Sequence, residues 1–288
     1  SNMLDAHLLN GQLYYSREEF ELARHHLRIA RQIASTKIQG LDELLQRVDK
    51  EFEVTRNYQT YEMEGFLVRY EGGARPDLFY QVLPILRDAR DRATRVLERS
   101  VHRPLTVILY AGEGFRRAAD VPDWAAGFYD GKIRLREAEL SAPTDYLTRI
   151  IRHEVAHAVM EELAPRRVPA WIHEGVAKYM EIDRWDALQD AAYLLQAIQA
   201  RRTFKLTDLE KPFANLPPGS DVRLAYAQSA AAIRYLGIHH GDRALSDLVA
   251  LLAAGRSGEK AIDSVTFYDM PTFQSRVQDW VVWEYARK

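Results

Sequence analysis

The 288-residue chain carries 39 Lys and Arg against 41 Asp and Glu, a formal net charge of −2. So even a balance offers nothing to steer the protein toward nucleic acid or an anionic membrane, and neither is expected as a partner. Its 47% hydrophobic and 28% charged residues are those of a globular protein with material for a sizeable core. No run of about 18 apolar residues is present to span a bilayer. The absence of cysteine excludes a disulfide framework and a thiolate zinc site.

The length suits one large or two small domains. Ser1-Asn2-Met3 reads as the scar of a cleaved tag, so a native leader or upstream region is expected to have been cut away. A cysteine-free chain suits an exported or a cytosolic protein, with an exported or periplasmic location favoured. Residues 4 to about 57 read as helices. Gly11, Tyr14, Phe20, Ala23, Leu27 and Ala30 follow the small-and-large pattern of a tetratricopeptide repeat, which this segment resembles. An ordinary αα-hairpin is the rival, because one repeat cannot bury its own face. Leu41, Leu44, Leu45, Val48 and Phe52 form the stripe of a further helix over Leu41 to Val54. The expectation is a helical arm, residues 1–57, that docks a protein partner or neighbouring repeats and does no chemistry.

From about Met63 the period changes. Phe66 to Tyr70 reads as a strand ended by Glu71-Gly72-Gly73. Asp77 to Ser100 reads as a long helix in which Pro84 marks a kink or the first turns. Leu105 to Tyr110 is a continuous apolar run, the mark of a buried strand. Residues 126–135 read as a turn and strand around Asp130-Gly131, a hairpin dipeptide. Pro143-Thr144-Asp145 starts a helix, with Thr144 as cap and Asp145 at the positive end, and that helix runs to about Leu163. Residues 184–201 form another amphipathic helix, and His239-His240 before Gly241 reads as a helix C-terminus rather than a second metal site.

The chemistry concentrates in Ile151-Arg152-His153-Glu154-Val155-Ala156-His157. Residues four apart share one helix face, so His153 and His157 can direct two imidazoles at one metal ion. Glu154 is turned about 100° from His153 and flanks the ion without ligating it. Two histidines with an adjacent carboxylate suit a zinc hydrolase whose Glu is the general base. The bland alternative is a solvated face with two unrelated histidines. Ile150, Ile151, Val155, Ala156, Ala158 and Val159 argue against it, since a helix apolar nearly all round is buried and its polar cluster needs partners. Downstream runs Val168-Pro169-Ala170-Trp171-Ile172-His173-Glu174-Gly175-Val176-Ala177. Zinc in a hydrolase takes three protein ligands and one open position. His173 and Glu174 are about 100° apart on a helix, so one of the two, not both, can be the third ligand.

H-E-x-x-H followed by P-x-W-x-x-E-G-x-A resembles the gluzincin metallopeptidases, the clan of thermolysin and the aminopeptidase N-like enzymes, also grouped as peptidase MA. The resemblance covers roughly residues 60 to 285 in layout, with its specific residues between 153 and 181 and one more near 226. It assigns the third ligand to Glu174. It also places a Glu at position 181, two turns beyond Glu174 on the same face, where it could orient a zinc-bound imidazole; a surface carboxylate is the alternative. A tyrosine after the third ligand stabilises the oxyanion in aminopeptidase N-like enzymes, and Tyr226 is the best match, with Tyr235 as internal competitor. In gluzincins a strand before the zinc helix often carries substrate, which implies a peptide backbone added to residues 126–135, unless these are an ordinary hairpin. The G-x-M-E-N segment with which aminopeptidases hold a free amine is missing. Tyr61-Glu62-Met63-Glu64-Gly65 is a superficial match lying before the first strand.

The resemblance therefore implies an α+β, thermolysin-like zincin domain with a small mixed sheet over residues 58–288, preceded by the helical arm. One zinc ion would be held by His153, His157 and Glu174, with Glu154 and Tyr226 catalytic and Glu181 behind the ligands. The expected activity is peptide-bond hydrolysis, endopeptidase rather than aminopeptidase, on a peptide or protein substrate. Two alternatives stand beside it: a catalytically silent zincin-fold module for protein binding, and a zinc hydrolase of a non-peptide bond. An intact Glu154 speaks against the silent module, which has no need of a base.

Overall fold

A computed structural model describes residues 2–71, 76–111, 114–115, 127–141, 144–165, 167–181 and 188–286. By its internal contacts the chain forms two units, Ser1–Phe79 with Pro104–Ser141, and Tyr80–Arg103 with Ala142–Lys288. It is an α+β protein in which helices precede a small mixed sheet and further helices follow.

In the first unit, α1 (Asn2–Ser16), α2 (Phe20–Ile33) and α3 (Leu41–Thr55) pack on one another. The apolar stripes read from the sequence meet in one cluster of Phe20, Ala23, Leu27, Ala30, Leu41, Leu45 and Val48. Gly11 sets the approach of α1 to α2: a Cβ there would lie 2.5 Å from the Leu27 side chain. The sheet runs β1-β2-β3-β5-β4. Its strands are β1 (Tyr58–Met63), β2 (Phe66–Glu71), β3 (Leu105–Tyr110), β4 (Gly127–Tyr129) and β5 (Ile133–Arg136). β2, β3 and β5 are parallel, whereas β1 pairs antiparallel with β2 and β4 with β5. Buried residues alternate through both faces of β3, as its continuous apolar run requires.

Two expectations need correction here. The sheet begins at Tyr58, not Phe66. The segment Tyr61 to Gly65 is not a stretch before the first strand but the end of β1 and its turn, where Glu64 (φ 50°) and Gly65 (φ 80°) take the left-handed conformation of a tight hairpin. β1 escaped notice because it is an edge strand exposed along most of its length, with no apolar alternation to read. Asp130-Gly131 does join β4 to β5, with β4 at the sheet edge and Gly131 at φ 101°.

A buried ion cluster joins these helices to the sheet. Glu18, between α1 and α2, pairs with Arg69 of β2 and with Lys132. Glu51 of α3 pairs with Lys132 at 3.2 Å and with Arg134 of β5 at 2.8 Å, and accepts the Tyr15 hydroxyl. Arg134 also pairs with Asp130 at 2.8 Å and donates to the Tyr110 hydroxyl. Three carboxylates thus meet three cations, nearly all out of water. Paired in this way, the charges avoid the cost of lone burial.

The second unit is helical. α4 (Pro76–Leu97) runs through Pro84, which lies in its interior rather than its first turns, and most of the helix belongs to this unit. α5 (Thr144–Leu163), α6 (Ala170–Glu181), α7 (Leu188–Gln199) and α8 (Val222–His240) follow, then α9 (Asp242–Ala253), α10 (Gly258–Thr266) and α11 (Met270–Tyr285). Asp221, Ser257 and Asp269 cap α8, α10 and α11 through side-chain oxygens. α5 is tied to the α4 segment by Arg152–Asp88 at 2.8 Å, and Glu162 accepts the His102 and Arg103 amides. No helix among the described residues is long and apolar enough to cross a membrane.

Candidate metal centre

The centre is built by α5, α6 and α8, all within the second unit. α5 is apolar nearly all round, and Ile151, Val155, Ala156, Ala158, Val159 and Met160 are buried. Its H-E-x-x-H residues are therefore drawn into the interior, and Glu154 and His157 are buried themselves. α6 buries Trp171, Ile172, Val176, Ala177 and Met180, which turns the face bearing Glu174 and Glu181 toward the histidines of α5. Gly175 permits the next layer. A Cβ there would stand 2.5 Å from both the Ser229 carbonyl and the Ile233 side chain. With only hydrogen at that point, α8 approaches α6 backbone to side chain.

Three donor atoms converge. His153 Nε2 and His157 Nε2 are 3.0 Å apart, and Glu174 Oε2 lies 3.6 Å from the first and 3.4 Å from the second. Ligands about 2.1 Å from a tetrahedral ion stand about 3.4 Å from one another, so the spacing fits a metal. Hydrogen bonding within the protein does not explain it. Glu174 Oε2 is buried without a hydrogen-bond partner, and two facing Nε2 atoms can share one proton at most. His153, His157 and Glu174 thus form a cluster able to hold a divalent ion.

The outer nitrogens are engaged as well. His153 Nδ1 donates to Glu181 Oε1 at 2.8 Å, since a carboxylate can only accept, and Lys178 donates to the same oxygen at 2.9 Å. His157 Nδ1 lies 2.7 Å from His173 Nδ1. The charges respond to this crowding. Burial pushes the Glu154 carboxyl up to about 7, with Glu174 and Glu181 adding to the rise and His157 opposing it. Burial acts the same way on Glu174, but the close approach of His157, with His153 and His173 nearby, outweighs it and holds Glu174 at about 2. For Glu181, burial is outweighed by His153 and Lys178, and the carboxyl stays below its ordinary range. Burial, helped by His157, lowers His173 to about 3, so its ring is neutral.

Of the two tyrosines in question, Tyr226 is the one near these groups. Burial raises its hydroxyl well above the usual phenol value, and the Glu174, Glu154 and Glu181 carboxylates raise it further. Its ring packs edge-on to Phe213, with centroids 5.0 Å apart. Tyr235 sits instead among His239, Phe273 and Trp280, and the charges acting on it are Tyr268, Arg276 and Asp279. His239 and His240 end α8 before Gly241, as expected. Burial, with His239 beside it, lowers the His240 imidazole below its ordinary value.

Sequence reading treated His173 only as a rival ligand and gave Lys178 no part. The i, i+3 spacing of Lys178 and Glu181 was a usable signal for the second; nothing in the spacing signalled the pairing of His173 with His157. The sequence matches no curated protein. The family model of the Peptidase MA superfamily matches residues 99–283, well over half of the chain and all of the residues gathered here. The chain therefore belongs to the Peptidase MA superfamily and carries its zincin-like metallopeptidase domain over residues 99–283.

Proposed function

We propose that the protein is a zinc-dependent peptidase, an endopeptidase rather than an aminopeptidase, acting on a peptide or protein substrate. The observation that carries this reading is the convergence of His153, His157 and Glu174, with the buried Glu154 on the same helix. Two imidazoles and one carboxylate are one of the donor sets of catalytic zinc, which leaves a position for water. Held by His153, His157 and Glu174, such an ion would supply Lewis acidity toward the attacking water and the scissile carbonyl.

The remaining work falls to side chains of this chain. Glu154 is the general base: it accepts the proton of the attacking water and delivers it to the leaving amide nitrogen. Tyr226 donates its hydroxyl to the oxygen that gains charge in the tetrahedral transition state. Its raised pKa keeps it protonated, and hence a donor, throughout the neutral range. Glu181, held by Lys178, takes the Nδ1 proton of His153 and so fixes that ring with Nε2 toward the cluster. The missing amine-binding segment supports internal cleavage over removal of N-terminal residues. The helical arm, residues 1–57, is read as a tetratricopeptide-like docking element for a protein partner, with the sheet and later helices forming the peptidase domain.

The test is Glu154→Gln, which keeps shape but cannot take a proton. Wild-type protein should hold about one equivalent of zinc and cleave members of a peptide library. Glu154→Gln should hold the same zinc and cleave about 10²- to 10⁴-fold more slowly. Equal cleavage by the variant would sink the mechanism. A zinc-loaded wild type that cleaves nothing across a diverse peptide and protein panel would favour the binding module.

A further inference from the structure

The histidine next to the third ligand has a geometry of its own. His157 and His173 have ring planes within 10° and centroids 4.5 Å apart, with their Nδ1 atoms separated by 2.7 Å. Two nitrogens so close cannot belong to rings stacked face on face, whose atoms stay at van der Waals separation. The rings lie side by side with nearly parallel planes, joined by an N–H···N hydrogen bond. Neither nitrogen is directed at the donor cluster, which His157 reaches through Nε2.

We infer that His173 is a positioning residue: it accepts the Nδ1 proton of His157 and so fixes that ligand's tautomer and ring orientation. The inference rests on the zinc reading above. An imidazole that ligates through Nε2 must carry its proton on Nδ1, and that proton needs an acceptor in a buried site. His173 Nδ1 lies within reach at 2.7 Å, and accepting that proton assigns the proton of His173 to its own Nε2. The two ligand histidines are then supported unequally. His153 leans on the Glu181 carboxylate, itself held by Lys178, whereas His157 leans on a second imidazole. The arrangement also explains how His173 and Glu174, about 100° apart on α6, both serve the centre. Glu174 enters the donor cluster, and His173 reaches the far side of the ring that completes it.

Zinc-loaded wild-type protein with ¹⁵N-labelled histidine rings tests this directly. The expected result is His157 protonated at Nδ1 and coupled through the hydrogen bond to an unprotonated His173 Nδ1. A protonated His173 Nδ1, or no such coupling, overturns the inference without any variant having to fold. Zinc affinity by chelator competition gives the second readout. His173→Phe keeps a planar ring but has no acceptor and should weaken zinc binding about 10- to 100-fold. His173→Asn, whose side-chain carbonyl can accept, should recover most of that loss. Wild-type affinity in His173→Phe overturns the positioning role. His157→Ala separates the two levels. If it loses zinc while His173→Phe holds it normally, only the positioning role falls. If His157→Ala still holds zinc, or the wild type never does, the metal reading falls and takes this inference with it.

Discussion

Glu51 gives the sharpest test of how the first unit is held together. It is fully buried on α3, within 2.8 Å of Arg134 and 3.2 Å of Lys132, and it accepts the Tyr15 hydroxyl. Glu51→Gln keeps the shape and removes the charge. Removing one partner of a buried pair costs about 3–5 kcal/mol. Here each cation retains another anion, Lys132 keeping Glu18 and Arg134 keeping Asp130, so the expected loss sits at the low end, about 3 kcal/mol. That is roughly a hundredfold in an equilibrium constant. Amide hydrogen exchange of β2, β3 and β5 should speed up by about that factor if these strands exchange by opening of the unit.

The pH dependence follows with a definite sign. Burial alone would raise the Glu51 carboxyl; Lys132, Arg134 and the hydrogen bonds from Arg134 and Tyr15 outweigh it and hold it below its ordinary 4.5. A carboxyl lowered on folding contributes stability above its unfolded value and sheds it as pH falls toward the folded one. The gap between wild type and Glu51→Gln should therefore be constant from pH 7 to about 4.5 and close below that. Unchanged strand exchange in Glu51→Gln at pH 7, or a gap that widens in acid, would refute the claim that this charge latches the helices to the sheet.

Other outcomes are equally definite. Tyr226→Phe should lose about 10² to 10³ in kcat with zinc content unchanged and KM little altered; an unchanged kcat removes Tyr226 from the mechanism. Gly175→Ala forces a Cβ to within 2.5 Å of the Ser229 carbonyl and the Ile233 side chain, and should cost about 1–3 kcal/mol by thermal denaturation. A variant as stable as the wild type would show that α6 and α8 need no such approach. Deleting residues 1–57 strips Glu18 and Glu51 from three buried cations, so exchange protection of β2, β3 and β5 should disappear; a truncation that keeps it would show the arm to be dispensable to the sheet.

What could be read from the sequence, and what could not, divides by range. The H-E-x-x-H helix was legible because the 3.6-residue period and the chemistry coincide on one turn. β3 was legible because a strand buried on both faces is apolar throughout. The stripe of α3 was legible for the same local reason. β1 was not, because its side chains face solvent and leave no pattern. Nor was the ion cluster, whose members Glu51 and Arg134 stand 83 positions apart and read singly as ordinary surface charges. The pairing of His173 with His157 depends on how α5 and α6 cross, which spacing along either helix does not determine. The resemblance supplied Glu174 as a ligand but left its neighbour as a discarded competitor.

The two buried polar clusters of this protein obey the same electrostatics and reach opposite ends. In the first unit, Glu18, Glu51 and Asp130 face Arg69, Lys132 and Arg134, and the charges close on themselves. Each carboxylate there has a permanent cation at ion-pair distance, so that cluster can hold helices to a sheet. In the second unit, Glu154, Glu174 and Glu181 are crowded together, and Lys178 is a permanent cation that acts on Glu154 and Glu181. One carboxylate oxygen is left buried and without a hydrogen-bond partner, facing two imidazole nitrogens that cannot both be satisfied by each other. Such an arrangement is costly unless a cation completes it. The protein has the residue types to close a buried cluster, as the first unit demonstrates, and at the H-E-x-x-H helix it leaves a cluster open. That open valence is the physical reason to place the chemistry there, and it would hold had the motif never been recognised.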